Sequence, residues 1–493
     1  MTARYAGKVR APDFPPAGDW LNTPRPLSVR DFAGKLLVLD FWTYCCINCL
    51  HLVPVLRRLE GEYPDTLAVV GIHTPKFPHE QSASNVREAL RRYGVAHPVL
   101  NDATGVVWQS YAVRAWPTLM FVDPVGKVIG KKEGELTYED GKRLIDQMLE
   151  EFRGSGALRP SPPIEMTEQP PISMLRHPGK VLADVEGDRL FIADSGHNRI
   201  LITDLDGTVQ TMVGSGEEGA ADGVLEGARF NQPQGMALSG ELLYVADTGN
   251  HLIRTVDLEA GIVETIAGTG RKGVGWTEGG ASLEVDLRSP WDLALVGRDL
   301  YIAMAGSHQI WMLNLDTRVA QAVVGIGEEN IVDGPLHEAL LAQPSGIVAD
   351  QDGVLYFLDS ETSSVRAADL VSTHRVSTLV GKGLFEFGDV DGAGEDARLQ
   401  HPLGLDLSGA VLYVADTYNN KIKVLDTDTC TIHTLAGTGE LGNADGGFGQ
   451  ASFYEPSGLS VVAGRIYVAD TNNHRIRVID LTERAVSTLE VDF

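Results

Sequence analysis

The sequence predicts a multidomain chain: an α/β domain over residues 1–153, with its core at about 12–152, then an all-β six-bladed propeller over 172–493. Three observations lead there. A chain of 493 residues is longer than one ordinary domain. An apolar run, Leu36 to Trp42, passes through three clustered cysteines into a helical pattern from Leu50 to Tyr63, which reads as a strand-to-helix junction. Beyond residue 170, six like segments recur 53 to 57 residues apart.

The cysteines come first. Cys45, Cys46 and Cys49 hold three of the chain's four thiols, and a Cys-x-x-Cys at a strand-to-helix junction is a redox signal. The strand is expected to deliver Cys46 to the first turn of the helix. There, unpaired backbone N–H groups and the positive end of the helix dipole favour a thiolate. Cys46 is therefore the expected nucleophile, and Cys49, one turn later, the resolving thiol. The third thiol leaves a Cys45–Cys49 bridge, or a strained bridge between Cys45 and Cys46, open by spacing.

Residues 40–49, with Pro54 in the following helix and Trp116-Pro117-Thr118 downstream, resemble thioredoxin-like proteins of the bacterial thiol-disulfide oxidoreductase type. The resemblance spans about 12–152. It implies a buried acid at Asp40 that serves the resolving cysteine, and a cis proline at Pro117 facing the reactive pair. Cys45, Trp42 and Trp116 flank these positions as accessory residues. Cys45 stands where a tryptophan is usual, and Ile47-Asn48 replaces the common Gly-Pro, so an altered redox potential is expected. No metal is expected, because Cys45, Cys46, Cys49 and His51 have no second ligand knuckle to complete a zinc site. Covalent haem would need histidine directly after Cys49, where Leu50 stands.

Between the domains, residues 154–171 are rich in Gly, Ser and Pro and read as a linker. Charge changes across it. Residues 1–155 carry 19 Lys and Arg against 18 Asp and Glu, leaving 22 against 49 for the remainder, a net −27. Nucleic acid is thus an unlikely partner for the second part, since phosphate binding needs clustered cations. The first 21 residues lack a signal-type apolar core, no later run reaches membrane-spanning length, and Cys430 alone makes no disulfide framework. A soluble, cytoplasmic chain is expected.

The repeat then builds the second domain. Phe191, Tyr244, Tyr301, Tyr356, Tyr413 and Tyr467 each open a short apolar strand that ends in Asp194, Asp247, Met304, Asp359, Asp416 or Asp470. A proline segment precedes each, such as Pro233-Gln-Gly235 and Pro456-Ser-Gly458, and two more β-rich runs follow, so four short strands make one blade. The repeated aspartates read as structural residues of the blade. The Gly-x-Gly-x-x-Gly matches at 214–219, 268–273 and 437–442 read as loop glycines, because they recur at one point of different blades without a crossover helix. No cofactor is expected. His251, His308 and His474 read as turn residues.

The Tyr-Val-Ala-Asp-Thr-x-Asn-His-Arg-Ile type core, nearest at 467–476 and 244–253, resembles the NHL repeat. The whole chain resembles NHL-repeat-containing proteins with an N-terminal thioredoxin-like domain. That implies a thiol-disulfide oxidoreductase acting on a protein disulfide or thiol, recharged by a reductase or a small thiol, with a propeller that binds a protein partner. The alternative is a non-catalytic scaffold whose cysteines are structural or a redox switch. Positions that break the repeat, Met304, Trp276, Trp291 and Trp311 in the third unit and Phe385 and Phe387 before the fifth, are candidates for a protein-binding face.

Overall fold

The computed structural model describes residues 4–164, 173–275 and 278–492. The chain divides into two compact units, Met1–Ile172 and Ser173–Phe493.

The first unit is an α/β sandwich. Its elements are β1 (Val9–Arg10), β2 (Asp19–Leu21), β3 (Leu36–Trp42), α1 (Ile47–Leu50), α2 (Leu52–Glu62), β4 (Leu67–His73), α3 (Ala83–Tyr93), β5 (Val99–Asn101), α4 (Val106–Ser110), β6 (Thr118–Val122), β7 (Lys127–Glu133) and α5 (Tyr138–Gly154). One sheet orders them β1-β7-β6-β3-β4-β5-β2. β3 lies at its centre, parallel to β4 and antiparallel to β6, and is buried throughout, as a strand covered on both faces must be. Its side chains alternate. Leu36 and Val38 pack with Leu56 and Leu59 of α2 and Ile145 of α5, while Leu37, Leu39 and Phe41 join Val107 and Tyr111 on the opposite face.

The helical pattern expected over 50–63 is split at His51 into α1 and α2. Pro54 accounts for part of this, since it has no N–H for the carbonyl one turn earlier. Residues 155–164 lie in the segment expected as a linker, yet they run along this unit. Arg159 N donates to Gly34 O at 2.8 Å, Ser161 N to Asp65 O at 3.1 Å, and Ile164 packs against the core. Residues 165–171 of that segment lie outside the described residues.

The second unit is a six-bladed propeller of six antiparallel sheets. Blade 2 illustrates the plan with strands Pro233–Ser239, Leu242–Asp247, Leu252–Asp257 and Ile262–Ala267. A fifth, two-residue strand, Gly223–Val224, pairs with the outermost strand, and blades 3 to 6 have its counterpart. Blade 1 has four strands, and its outer edge meets the chain's C-terminal end instead. Thr208 bridges Asp492 in parallel, and Val209 N donates to Asp492 O at 2.7 Å. Ring closure is completed at the inner rim, where Ser457 Oγ donates to Gly179 O and Thr471 Oγ1 to Pro178 O, each at 2.8 Å.

The Pro-x-Gly signature has a steric cause. A Cβ on Gly404 would fall 2.8 Å from Ser457 O, and one on Gly458 2.6 Å from Gly179 O, so the innermost strands approach too closely for a side chain. Blade 3 carries Asp292 at this position. Its carboxylate meets Lys180 Nζ at 2.8 Å, and the same ammonium donates to Leu403 O at 2.6 Å and Ser345 O at 3.2 Å, tying four blades together across the axis. The turn residues also behave as a set: Asn198, His251, His308, Ser363, Asn420 and His474 all hold φ between 52° and 56°.

Candidate functional site

β3 ends at Trp42, and the chain turns through Thr43 and Tyr44 into the cysteines. Cys46 caps α1: its carbonyl accepts from Cys49 N at 3.0 Å and Leu50 N at 3.1 Å. The Cys46 and Cys49 thiols are neighbours, each within reach of the other's charge. Exposure separates the three sulfurs. Cys45 is 2% and Cys49 0% exposed, while Cys46 is half-buried. Burial, reinforced by the neighbouring Cys46, pushes the Cys49 thiol well above its ordinary range.

The loop is held by a residue that sequence reasoning missed. Glu80 is wholly buried and accepts from Thr43 Oγ1 at 2.8 Å, Cys45 N at 3.0 Å, Lys76 N at 2.8 Å and Phe77 N at 3.0 Å. A buried carboxylate needs such donors. It therefore ties the loop after β4 to the loop after β3. One acid 35 residues beyond Cys45 carries no sequence signal.

Asp40 lies on the face of β3 that points toward α2, and its charge reaches Cys49. It is 2% exposed, and burial pushes its carboxyl up to about 7, with His97 pulling down and Glu60 pushing up. Gly71 is its register partner on β4, and a Cβ there would meet Trp42 Nε1 at 3.0 Å and His97 Nε2 at 3.3 Å. The glycine thus leaves room for both rings. Burial opposes the charged form of His97, but Glu60, 3.2 Å from its Nδ1, and Asp40 raise its pKa overall. Cys49, Asp40, His97 and Glu60 form a row of titratable groups leading from the buried thiol to a partly exposed carboxylate.

The remaining expected site residues gather at the same end of the sheet. β6 pairs Thr118 with Phe41, so Pro117, just before Thr118, lies level with the end of β3. The Trp116–Pro117 bond is cis. Trp116 is half-buried and packs on Trp108 with ring centroids 4.6 Å apart, while Trp42 is buried edge-on to His73.

Asp40 has a consequence for stability. The native state holds its proton up to about pH 7, whereas the unfolded chain releases it at about pH 4. Between those values the native state binds more protons, so this group makes stability fall as pH rises. Asp40→Asn cannot ionise and is expected to be more stable than the parent above about pH 7, by a few kcal/mol, with the difference vanishing near about pH 4. Thermal melts across that range check it, and parallel curves for the two proteins would refute it.

In the propeller, Asp194, Asp247, Asp359, Asp416 and Asp470 are fully buried. Each accepts one backbone N–H from the preceding loop, as Tyr454 N does to Asp470 at 2.7 Å. Four also meet a buried cation: Asp247 with Arg254 at 2.9 Å, Asp359 with Arg366 at 2.8 Å, Asp416 with Lys423 at 3.4 Å and Asp470 with Arg477 at 3.0 Å. The same cations reach the loop acids Asp222, Asp333, Asp391 and Asp445. Of the pattern-breaking positions, Met304 and Trp311 are core residues, not an exposed face, because strand pairing turns them inward. Trp291 and Phe387 are half-buried and Phe385 is exposed, while Trp276 lies outside the described residues. Among the described residues, no helix is long and apolar enough to cross a membrane.

Comparison with known proteins agrees with this division. Residues 34–128 match the thioredoxin-like family, and residues 230–255 and 453–479 match the NHL repeat. NHL repeat-containing protein 2 of Bos taurus is 43% identical over 97% of this chain and 71% of its own length. The Arabidopsis thaliana protein SUPPRESSOR OF QUENCHING 1, chloroplastic, is 43% identical over 97% of this chain and 48% of its own. A solved thioredoxin-like superfamily protein is 23% identical over 29% of this chain and 97% of its own, with a TM-score of 0.26.

Proposed function

The chain belongs to the family of NHL repeat-containing protein 2, and within it we propose a thiol-disulfide oxidoreductase whose propeller holds a protein partner. The observation that carries the reading is the unequal exposure of three neighbouring thiols: Cys46 is accessible at the cap of α1, while Cys49 is buried beside Asp40.

In the proposed cycle the Cys46 thiolate attacks one sulfur of a substrate disulfide. The other substrate sulfur leaves as a thiolate and takes a proton, and Cys46 becomes part of a mixed disulfide. Asp40 then accepts the Cys49 proton, a transfer suited to a carboxyl poised at about 7. The Cys49 thiolate attacks Cys46 sulfur, releases the reduced substrate, and leaves a Cys46–Cys49 disulfide. Two electrons from a reductase or a small thiol restore the dithiol. Glu80 keeps Cys45 and Thr43 in place, and Pro117 with Trp116 stands at the end of the sheet where substrate is received. Cytoplasmic residence fits the absence of a disulfide framework, although the plant relative is described as chloroplastic.

The burial of Cys45 and Cys49 favours a second reading, a scaffold with slow thiols. Alkylation after equilibration in defined glutathione buffers separates the two. The oxidoreductase predicts a reversible two-electron transition confined to Cys46 and Cys49, with Cys46 alkylating fastest at low pH. Three independent, slow thiols with no bridge would leave the scaffold.

A further inference from the structure

Blade 3 departs from its sisters at five positions of one network. Strand register aligns Trp311 with Arg254, because each pairs with the residue two before the strand end, Ile302 and Val245. The same register aligns Ala322 with Thr265, and loop hydrogen bonds align Gly279 with the loop acids Asp222 and Asp333. Met304 replaces the buried aspartate, and Ser307 stands where Asn250, Asn419 and Asn473 donate to that aspartate. The carboxylates, the cation and their hydroxyl and amide partners are thus all exchanged together. Blade 1 keeps its aspartate, with Arg199 and His197 as partners.

Simple apolar repacking would close the space, as happens when a buried ion pair is replaced by well-fitted apolar groups. Here a cavity of about 340 Å³ remains, lined by Gly279, Trp311, Ser307 and Gln309, with two acids, Glu284 and Asp286, against one cation, Arg288. Gly279, Trp311 and Ser307 are the very replacements that removed the loop acid, the cation and the amide. Ser307 is 7% exposed, and among the described residues its Oγ has no hydrogen-bond partner. A buried hydroxyl left so lacks the partner that sister residues have.

We propose that this cavity receives an arginine side chain from a partner protein, so that blade 3 takes in trans the guanidinium that blades 2, 4 and 6 supply from their own chain. In those blades the guanidinium lies 5.1 to 5.7 Å from a phenylalanine ring, Phe230, Phe357 or Phe453, and contacts a loop carboxylate. Blade 3 offers matching chemistry from other positions, with Trp311 in the wall and Glu284 and Asp286 beside it. Asp286 is held by Thr269 and the exposed Arg271, a contact that an incoming guanidinium can replace. The net charge of −26 over residues 172–493 draws a cationic partner toward the propeller.

The inference rests on the propeller being the partner-binding half, but its test needs no partner. The full chain is titrated with N-acetyl-argininamide, followed by tryptophan fluorescence and calorimetry, beside the lysine and citrulline counterparts. Saturable binding of the arginine probe, at least tenfold tighter than either counterpart, is expected. Met304→Asp with Trp311→Arg restores the buried ion pair of the sister blades and supplies the guanidinium from within the chain, and is expected to weaken the probe at least tenfold. Should that double variant fail to fold, Glu284→Gln with Asp286→Asn must produce a comparable loss. No saturable binding, equal binding of citrulline or lysine, or binding undiminished in the folded variants overturns the proposal. Partner capture is scored separately on the same proteins, so a propeller that holds its partner without the probe site refutes the cavity alone.

Discussion

Cys46→Ser is expected to reduce disulfide exchange to background, a loss of roughly three orders of magnitude or more, because no other sulfur of the cluster combines exposure with the cap position. Cys49→Ser is expected to lose turnover as well, but differently. Attack by Cys46 proceeds and resolution does not, so a mixed disulfide accumulates that survives non-reducing electrophoresis and disappears with reductant. Cys45→Ser retains most activity, since the backbone N–H through which Glu80 holds Cys45 is unchanged by the substitution. Insulin reduction and non-reducing gels read all three variants. Equal activity in Cys46→Ser would refute the cycle. Full activity in Cys49→Ser with total loss in Cys45→Ser would transfer the resolving role to Cys45.

Arg477→Ala is expected to destabilise the propeller by about 3–5 kcal/mol, the usual consequence of stranding one member of a buried ion pair. Arg477 is 0% exposed and donates to Ser452 O, Asp470 Oδ2, Ala444 O and Asp445 Oδ1. Its loss leaves Asp470, also 0% exposed, with Asn473 and Tyr454 N as partners but without a countercharge. Blade 3 supplies the control. Asp470→Met with Arg477→Trp copies its residues, and the double variant is expected to recover more than half of the lost stability, as coupled neighbours do. Denaturant melts of the two singles and the double complete the cycle. Additive losses would mean that the pair acts as two independent residues.

Fold class and repeat number were legible because both are periodic in one dimension. β3 is an apolar run interrupted only by Asp40, and the propeller repeats an aromatic residue, an aspartate and a proline segment at nearly constant spacing, with blade 3 breaking the aspartate. The cysteine cluster was legible for the same reason, as four consecutive positions carry the Cys-x-x-Cys pattern. The repeated aspartates could be recognised as structural from their repetition alone.

What those aspartates bind was not legible. Arg254, Arg366, Lys423 and Arg477 stand seven residues after their aspartates, in strands where alternation reads as an ordinary outward polar residue. Only packing against the next loop buries them. Met304 and Trp311 look like exposed exceptions for the same reason, and are instead core replacements of that ion pair. Glu80 and the Asp40, His97 and Glu60 row were equally silent, because their partners come from separate elements that only the sheet order β6-β3-β4-β5 brings together. Local pattern determined which elements form and how many blades there are. Tertiary contact alone decided which charges are buried, which thiol is exposed and where a cavity stays open, since each depends on groups distant in sequence whose desolvation must be compensated in space.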